Sequence, residues 1–516
     1  MIRLIEDHWR ISLMVLLTAV FVTAIFIFDG HYGFSISDEG FLWYGAQRVM
    51  AGEVPLRDFM SYDIGRYYWS AFLMGLMGNN GIVTMRIAAS IFLFIAVALA
   101  MSLMVQKFIR NGTIYCVLIL AALIPWMAHP HKFFDVSIPL LFVSVLSFLL
   151  AAPTKRNYFL FGLLVGVAAV FGRNHGLYGV VAFLLFAFYS LARRENALDS
   201  GKQVALWSLG VFVGYLPVIA YIAFVPGFAD AFWYSIRLVF EIKSTNVMLP
   251  VPWPWQINYS LLSFFEALRQ LMIGSLFIII ILYGFLGIAW IFRQALLKKQ
   301  VHPVFIASVF VGIPYMHYAF SRADLTHLTN AVVPILLGLL VLLDSWSMIK
   351  KWVFASVLLL LSLLVALPTH TGWCRFSPDQ CIYTDVGSDR LYVQKRTAEI
   401  LNVLKFLSLR FVPNERTLLA EPFCPGAYAV LGKKAPMWDI YALFPRSVDF
   451  QLKEVARIKA SNPSLAIIDY SALDGRNELQ FSNTHPIVDQ YIRDNFVRVN
   501  DIRQNPAFYL SRDILL

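Results

Sequence analysis

The residues best suited to chemistry lie between the first two apolar segments, at positions 29–81, here called the first loop. It carries six acidic residues, with Arg48, Arg57 and Arg66 among them. The acids are Asp29, Asp38, Glu39, Glu53, Asp58 and Asp63. Carboxylates beside aromatic residues at a membrane surface are suited to act as a general base or to bind an acceptor. The alternative is a solvated loop in which Asp38 only caps a short helix over 39–51, where the helix dipole favours an anion.

A second set of candidate groups occurs in the sequence FSRADLTHL at 320–328. Arg322 can bind a phosphate through two parallel hydrogen bonds, with Asp324 orienting the guanidinium and His327 nearby. Arg66 of the first loop is a further candidate phosphate ligand. The alternative reading of FSRADLTHL is an Arg–Asp pair that anchors a helix end.

Two further loops carry polar side chains that can contact a polar or anionic ligand. The sequence FGRNHG at 171–176 supplies Arg173 and His175, and HPHKFFD at 129–135 supplies Lys132 and two histidines. The His-Pro-His spacing can also bind a metal, but three well-fixed ligands cannot be named, so a metal site stays unknown. Ordinary polar residues at the membrane interface are the alternative.

Apolar segments must position these loops. The 516 residues are 59% hydrophobic and 14% charged, against about 25% charged in a typical soluble domain. A helix needs about 20 apolar residues to cross a bilayer core. We predict eleven spans, at roughly 11–28, 82–106, 113–128, 136–152, 158–171, 177–192, 204–225, 271–291, 304–319, 328–343 and 352–368.

The net charge of +10 is explained by topology. Fourteen of the 24 Lys and Arg residues in the first 369 positions lie before the first span or in alternate short connections, which marks these parts as cytoplasmic. The opposite short loops hold one each: Lys132, Arg173 and Arg322. This pattern places the N-terminus in the cytoplasm and the C-terminus outside. Because the basic residues form no clustered groove, a nucleic-acid partner is excluded.

The character of the chain changes at about residue 370. We therefore divide it into a membrane domain, 1–369, and an extracytoplasmic α/β domain, 370–516. Apolar runs predict strands at 417–423, 464–470, 496–502 and 507–513, and helical patterns lie at 389–410 and 446–460. Cys374 and Cys381 lie where disulfides persist, and their pairing stays open.

Three short motifs follow one another in the first loop. In order, they are the pair Asp38-Glu39, Tyr44 with Arg48, and the turn residues Gly52, Pro55 and Asp58. Directly after a first span, this arrangement resembles the first loop of GT-C glycosyltransferases, in particular the bacterial relatives of protein O-mannosyltransferases and of lipid A aminoarabinose transferases. The many spans and the outward C-terminal domain extend the resemblance over most of the chain, which indicates a GT-C-like fold.

The resemblance implies roles for the acids. Asp38 would be the catalytic base or an acceptor ligand, Glu39 its neighbour and Asp58 a second acid of the site. The donor would be a sugar on polyprenyl phosphate, transferred with inversion to a glycan, lipid or protein of the cell envelope. The location would be the bacterial inner membrane. Some members use a divalent metal and others do not, so the cofactor stays open.

Three other classes of protein compete with this interpretation. A transporter or lipid-linked-glycan flippase places ionisable residues near the middle of the bilayer, whereas these spans are almost free of charge. An O-antigen polymerase or ligase depends mainly on arginines in long central loops, whereas acids dominate the first loop here. A noncatalytic scaffold for envelope assembly would tolerate Asp38→Asn.

Overall fold

The computed structural model describes residues 2–107, 113–193, 200–244, 246–343, 346–501 and 504–515. Within these ranges, nine helices are long and apolar enough to cross a membrane. Lipid offers no partners to backbone polar groups, and a helix satisfies those groups internally. The chain is a multi-pass membrane protein with small sheets in its C-terminal part, which confirms the predicted helical polytopic fold.

The helices up to residue 366 contain the candidate membrane spans. They are α1 (Ile2–Asp29), α2 (Asp38–Met50), α3 (Gly65–Leu76), α4 (Ile82–Lys107), α5 (Thr113–Leu123), α6 (Phe133–Ala151), α7 (Lys155–Phe171), α8 (Arg173–Ala192), α9 (Ser200–Phe224), α10 (Phe228–Ile242), α11 (Phe264–Leu296), α12 (Pro303–Ser321), α13 (Leu325–Leu342) and α14 (Met348–Ala366).

The C-terminal part contains shorter helices and all the named strands. The helices are α15 (Lys395–Phe411), α16 (Pro425–Leu431), α17 (Val448–Ser461), α18 (Phe481–Thr484), α19 (Pro486–Asn495) and α20 (Arg512–Leu515). The strands are β1 (Cys381–Val386), β2 (Asp389–Gln394), β3 (Leu418–Glu421), β4 (Leu465–Ile468), β5 (Phe496–Arg498) and β6 (Ala507–Ser511).

Each of the eleven predicted spans coincides with a helix, but two of the helices are short. Helix α5 has 11 residues and α7 has 17, so the count of helices with full spanning length is nine among the described residues. The sequence did not predict α10, which lies between the predicted spans 204–225 and 271–291. It begins after Gly227, whose backbone is in the left-handed conformation. The predicted short helix after the first span is α2.

The chain divides into two compact units. Unit 1 contains Met1–Phe28, Ala89–Ala220 and Asn246–Trp373, and unit 2 contains Asp29–Ala88, Tyr221–Thr245 and Cys374–Leu516. Unit 2 therefore combines residues of the first loop with those of the C-terminal segment.

Small residues allow two helices of unit 1 to pack closely. Gly162 and Gly166 of α7 face Gly210 and Gly214 of α9, and each pair has the small-x-x-x-small spacing that permits close helix contact in membranes. A Cβ on Gly162 would overlap the carbonyl oxygen of Trp207. A larger side chain at this position would separate the two backbones.

Unit 2 contains two sheets. Strands β1 and β2 form an antiparallel hairpin, and the second sheet has the order β3-β4-β6-β5 with only β3 and β4 parallel. The four predicted strands match this second sheet. The predicted helix at 389–410 is wrong over its first six residues, because Asp389–Gln394 pairs with β1 and the helix begins at Lys395. Cys374 and Cys381 form a disulfide.

The larger sheet has its own apolar core. Leu419 of β3 and Ile468 of β4 are fully buried with Phe481, Val488 and Ile492 of the following helices. Burial of each large apolar side chain contributes roughly 1.5–3 kcal/mol. Met437 and Ala442 also belong to this core, which therefore holds the segment at 435–446 in place.

Candidate functional site

Asp38 is the first residue of α2, and its side chain is exposed. Its backbone N–H donates to Ser35 Oγ at 3.0 Å, which satisfies one of the free donors at the helix start. The hydroxyl of Tyr441 donates to Asp38 Oδ1 at 2.7 Å. Asp38 is thus an accessible carboxylate at the positive end of a helix, with one oxygen oriented by a neutral donor.

Glu39 has a different environment although it is adjacent in sequence. It is 3% exposed, and its two oxygens each accept a 2.7 Å hydrogen bond from the guanidinium of Arg86, which is fully buried in α4. The same guanidinium donates to the carbonyl oxygens of residues 29, 30, 32 and 33. This buried pair fixes the backbone that leads into α2 and therefore the position of Asp38.

Asp58 belongs to the predicted Gly-x-x-Pro-x-x-Asp turn. Its carboxylate accepts two 2.8 Å hydrogen bonds from Arg57 and one of 2.7 Å from the N–H of Val54. Burial opposes ionisation, but these donors hold the pKa of Asp58 below its usual range. Leu56, with a φ of 69°, completes the turn. The geometry shows Asp58 stabilising the turn while keeping 26% of its side chain exposed.

Further charged residues of the first loop, Arg48, Glu53 and Arg66, have defined contacts in unit 2. Arg48 forms a two-point ion pair with Glu53, which also contacts Lys434. Arg66, predicted as a phosphate ligand, is only 6% exposed. Its guanidinium lies 4.7 Å from the ring centre of Tyr62. In this structure Arg66 is a buried cation beside an aromatic ring.

In unit 1, the residues of FSRADLTHL form one cluster at the start of α13. Asp324 accepts a hydrogen bond from Arg322 Nε at 3.1 Å and from both the backbone and the ring of His327 at 2.9 and 2.8 Å. Arg322 also donates to the carbonyl oxygen of Val247, and Asn246 contacts His327 Nε2. Burial disfavours the charged form, but His327 and Arg322 hold the pKa of Asp324 below its usual range.

His175 lies at the start of α8 and is fully buried. Its Nε2 lies 3.0 Å from Asp135 Oδ1, and its Nδ1 lies 2.7 Å from the hydroxyl of Tyr315. The ring of Tyr318 stacks on His175 at 5.9 Å and on His327 at 5.4 Å. One continuous network thus brings together two predicted residues from separate loops, His175 and His327.

The remaining predicted residues of unit 1 lie near this network. Arg173 is the first residue of α8, and Lys132 precedes α6. The rings of His129 and His131 stack on each other. No group of three or more His, Cys, Asp or Glu residues in the described ranges is arranged to hold a metal ion.

A cavity adjoins the Asp324–His327 cluster. Leu325, Thr326 and Thr329 of α13 line it, together with Trp126 and Ala128. All of these lining residues belong to unit 1.

The predicted site residues divide between the two units. Asp38, Glu39, Asp58 and Arg66 lie in unit 2, and the other six lie in unit 1.

The C-terminal segment contains buried charged residues that the sequence did not reveal. Asp439 accepts a 2.6 Å hydrogen bond from Arg446 and lies 3.4 Å from His485. Burial opposes ionisation, yet Arg446 keeps the pKa of Asp439 far below its usual range. Glu421 has no hydrogen-bond partner for either oxygen among the described residues. Burial, together with the charges of Asp439 and Glu454, raises the pKa of Glu421 well above its usual value.

Sequence reasoning missed two residues that touch the predicted acids. Arg86 gave a signal, since a lone arginine near the start of an apolar span demands a partner. Tyr441 gave none, because nothing in the sequence links it to an acid 403 positions away.

The solved structures similar to this chain include two of an archaeal oligosaccharyltransferase. The Archaeoglobus fulgidus oligosaccharyltransferase, tethered by a disulfide to an acceptor peptide with the NVT sequon, is 11% identical, with 98% of this chain and 74% of that chain covered and a TM-score of 0.48. Its apo form is 12% identical, with 95% and 73% covered and a TM-score of 0.37. Scores this low carry no argument about this chain. No family model and no curated protein matches it.

Proposed function

We propose that this protein is a GT-C-type glycosyltransferase that moves a sugar from a polyprenyl-phosphate donor to a glycan, lipid or protein acceptor of the cell envelope. The observation that carries the proposal is the environment of Asp38. It is an exposed carboxylate at a helix start, oriented by Tyr441 and positioned by the buried Glu39–Arg86 pair. A rigidly held, accessible acid in the predicted first-loop motif is what a general base requires.

The reaction assigns one role to each group. The acceptor hydroxyl oxygen attacks the anomeric carbon while its proton passes to the Asp38 carboxylate. The bond from that carbon to the phosphate oxygen breaks, the lipid phosphate leaves with the electron pair, and the anomeric configuration inverts. Arg322, beside the start of α13 in unit 1, is suited to bind a phosphate group, because guanidinium groups and helix N-termini both stabilise phosphate charge. Asp324 and His327 position Arg322.

The burial of His175, Arg66 and Glu39 refines the predicted roles. His175 links the start of α8 to the start of α6 through Asp135 and to the C-terminal half of α12 through Tyr315, rather than contacting the donor directly. Glu39 acts as a positioning residue for the loop before α2. Asp58 holds the turn that follows α2.

A flippase remains the second candidate, because Asp135 and His175 are buried ionisable groups in apolar helices. Both lie at the third residue of their helices, α6 and α8. Ionisable groups that serve transport are expected near the middle of the bilayer instead. Their position at helix ends favours an enzyme with an interfacial site. We propose the non-cytoplasmic face of the bacterial inner membrane as its location.

Mass spectrometry of envelope glycans, lipids and proteins, with and without this protein, tests the proposal. We expect one sugar to disappear from its acceptor and to return when the wild-type gene is supplied. A flippase predicts that the lipid-linked sugar accumulates instead on the cytoplasmic leaflet. An unchanged envelope would contradict both functions.

A further inference from the structure

The C-terminal segment supplies a side chain that touches the proposed base. The hydroxyl of Tyr441 donates to Asp38 Oδ1 at 2.7 Å. Burial and the adjacent Asp38 carboxylate raise the pKa of Tyr441 well above its usual value. Tyr441 therefore remains a neutral hydrogen-bond donor throughout the pH range in which a carboxylate can accept a proton.

Two aromatic rings fix the direction of this hydroxyl. The ring of Tyr441 packs against Phe41 at 5.3 Å and against Phe423 at 5.4 Å. Phe41 lies three residues after Asp38 on α2, so both side chains share one face of the helix. The rings hold the phenol in contact with the same helix that presents the acid.

The backbone before Tyr441 is tied to two parts of unit 2. The indole of Trp438 donates to the carbonyl oxygen of Leu56, and the carbonyl oxygen of Trp438 accepts from the N–H of Met60 at 2.8 Å. The N–H of Trp438 donates to Glu454 at 2.7 Å. These hydrogen bonds connect the backbone around Trp438 to the first loop on one side and to α17 on the other.

The residues on both sides of Tyr441 are buried in the core of unit 2. Asp439, Ile440 and Ala442 are fully buried, and Asp439 forms its ion pair with Arg446 there. Because both flanking positions point into the core, the intervening side chain is held with little freedom to rotate away. The Tyr441 side chain is therefore held in one orientation.

We propose that Tyr441 is a positioning residue for Asp38. Its hydroxyl fixes the plane of the carboxylate against which the acceptor hydroxyl is deprotonated, so the C-terminal segment forms part of the catalytic apparatus. This inference rests on the proposed function. It assigns a role to a region in which the sequence shows no catalytic motif.

The test compares Tyr441→Phe with Asp38→Asn and with the control Tyr491→Phe, which removes a hydroxyl from α19 in the same unit. Native membranes containing each full-length variant are supplied with the radiolabelled polyprenyl phosphosugar pool extracted from the host. A hydrogen bond to a charged group is worth enough to change a rate about tenfold. We expect Tyr441→Phe to lower turnover about tenfold, with an unchanged apparent KM for the donor and an unchanged unfolding temperature.

A conservative replacement separates the hydroxyl from the ring. 3-Fluorotyrosine at position 441 keeps the donor and the shape, and we expect it to retain turnover within about twofold of wild type. Wild-type turnover in Tyr441→Phe, an equal loss in Tyr491→Phe, or an equal loss with 3-fluorotyrosine would each overturn the inference. If Asp38→Asn alone is fully active, the proposed function fails instead, so the two failures are distinguishable.

Discussion

Two regions supply the candidate groups, the start of α2 in unit 2 and the starts of α8 and α13 in unit 1. In each region one ionisable residue is buried and its companion is accessible. At α2, Glu39 is 3% exposed whereas Asp38 is exposed. In unit 1, His175 is fully buried whereas Arg322 keeps 22% of its side chain exposed.

In each pair, the buried residue stabilises the structure and the accessible residue is available to bind substrate. A buried charge is stable only when it is paired and hydrogen-bonded, so its partners hold it and it holds them. An accessible charge can exchange water for a substrate. Changes to the buried member should therefore reduce stability, and changes to the accessible member should reduce transfer while leaving the fold intact.

The largest expected effect is on the buried pair of unit 2. Arg86→Met leaves Glu39 and four carbonyl oxygens without their donor, and removal of one partner of a buried ion pair costs about 3–5 kcal/mol. The unfolding temperature of the detergent-solubilised protein measures this. Arg476→Met, which breaks an exposed pair with Glu478, is the control and should change little. Equal stability of Arg86→Met and wild type would contradict the conclusion that the buried Arg86–Glu39 pair stabilises the fold.

The buried member of unit 1 should show a smaller loss. His175→Leu keeps a similar volume but removes the partner of Asp135 and of Tyr315, at a cost of about 2–3 kcal/mol. His317→Leu also removes a hydrogen bond, to Tyr178, but from an exposed histidine, and should cost less. If His317→Leu were the more destabilising variant, burial would not be the deciding property.

The accessible member of unit 1 should affect the donor rather than the fold. Arg322→Ala should raise the apparent KM for the lipid phosphosugar about tenfold, since it removes a charged hydrogen bond to phosphate. The apparent KM for the acceptor should change little. Arg293→Ala, in the last turn of α11, is the matched control. Equal effects on donor and acceptor would indicate a structural role for Arg322.

The smallest expected effect concerns Glu421, a buried acid without a cationic partner among the described residues. It tests whether a buried charged group needs a partner to be stable. The pKa of Glu421 is raised by burial, so the folded state holds its proton more tightly than the unfolded state does. That contribution to stability is complete at low pH and is lost as pH rises above the unfolded pKa. Glu421→Gln should therefore unfold at a higher temperature than wild type at pH 8 and at a similar temperature at pH 4. Glu415→Gln, at an exposed glutamate, is the matched control.

Local patterns in the sequence predicted most elements but not the contacts between them. The alternating apolar runs gave the strands of the larger sheet, and Asp38 could be placed at a helix start. Asp389–Gln394 was assigned to a helix because its pairing with β1 is invisible to local periodicity. The burial of Glu39 depends on Arg86, 47 residues away, and the support of Asp38 depends on Tyr441. Such long-range pairs leave no local signal.

The most direct test of the account is sugar transfer by Asp38→Asn. The full-length variant, in native membranes supplied with the extracted polyprenyl phosphosugar pool, loses only the proton-accepting charge at an exposed position. Loss of a general base lowers a rate by about 10²–10⁴-fold, and we predict a loss of that size with an unchanged unfolding temperature. Transfer at the wild-type rate would contradict the account.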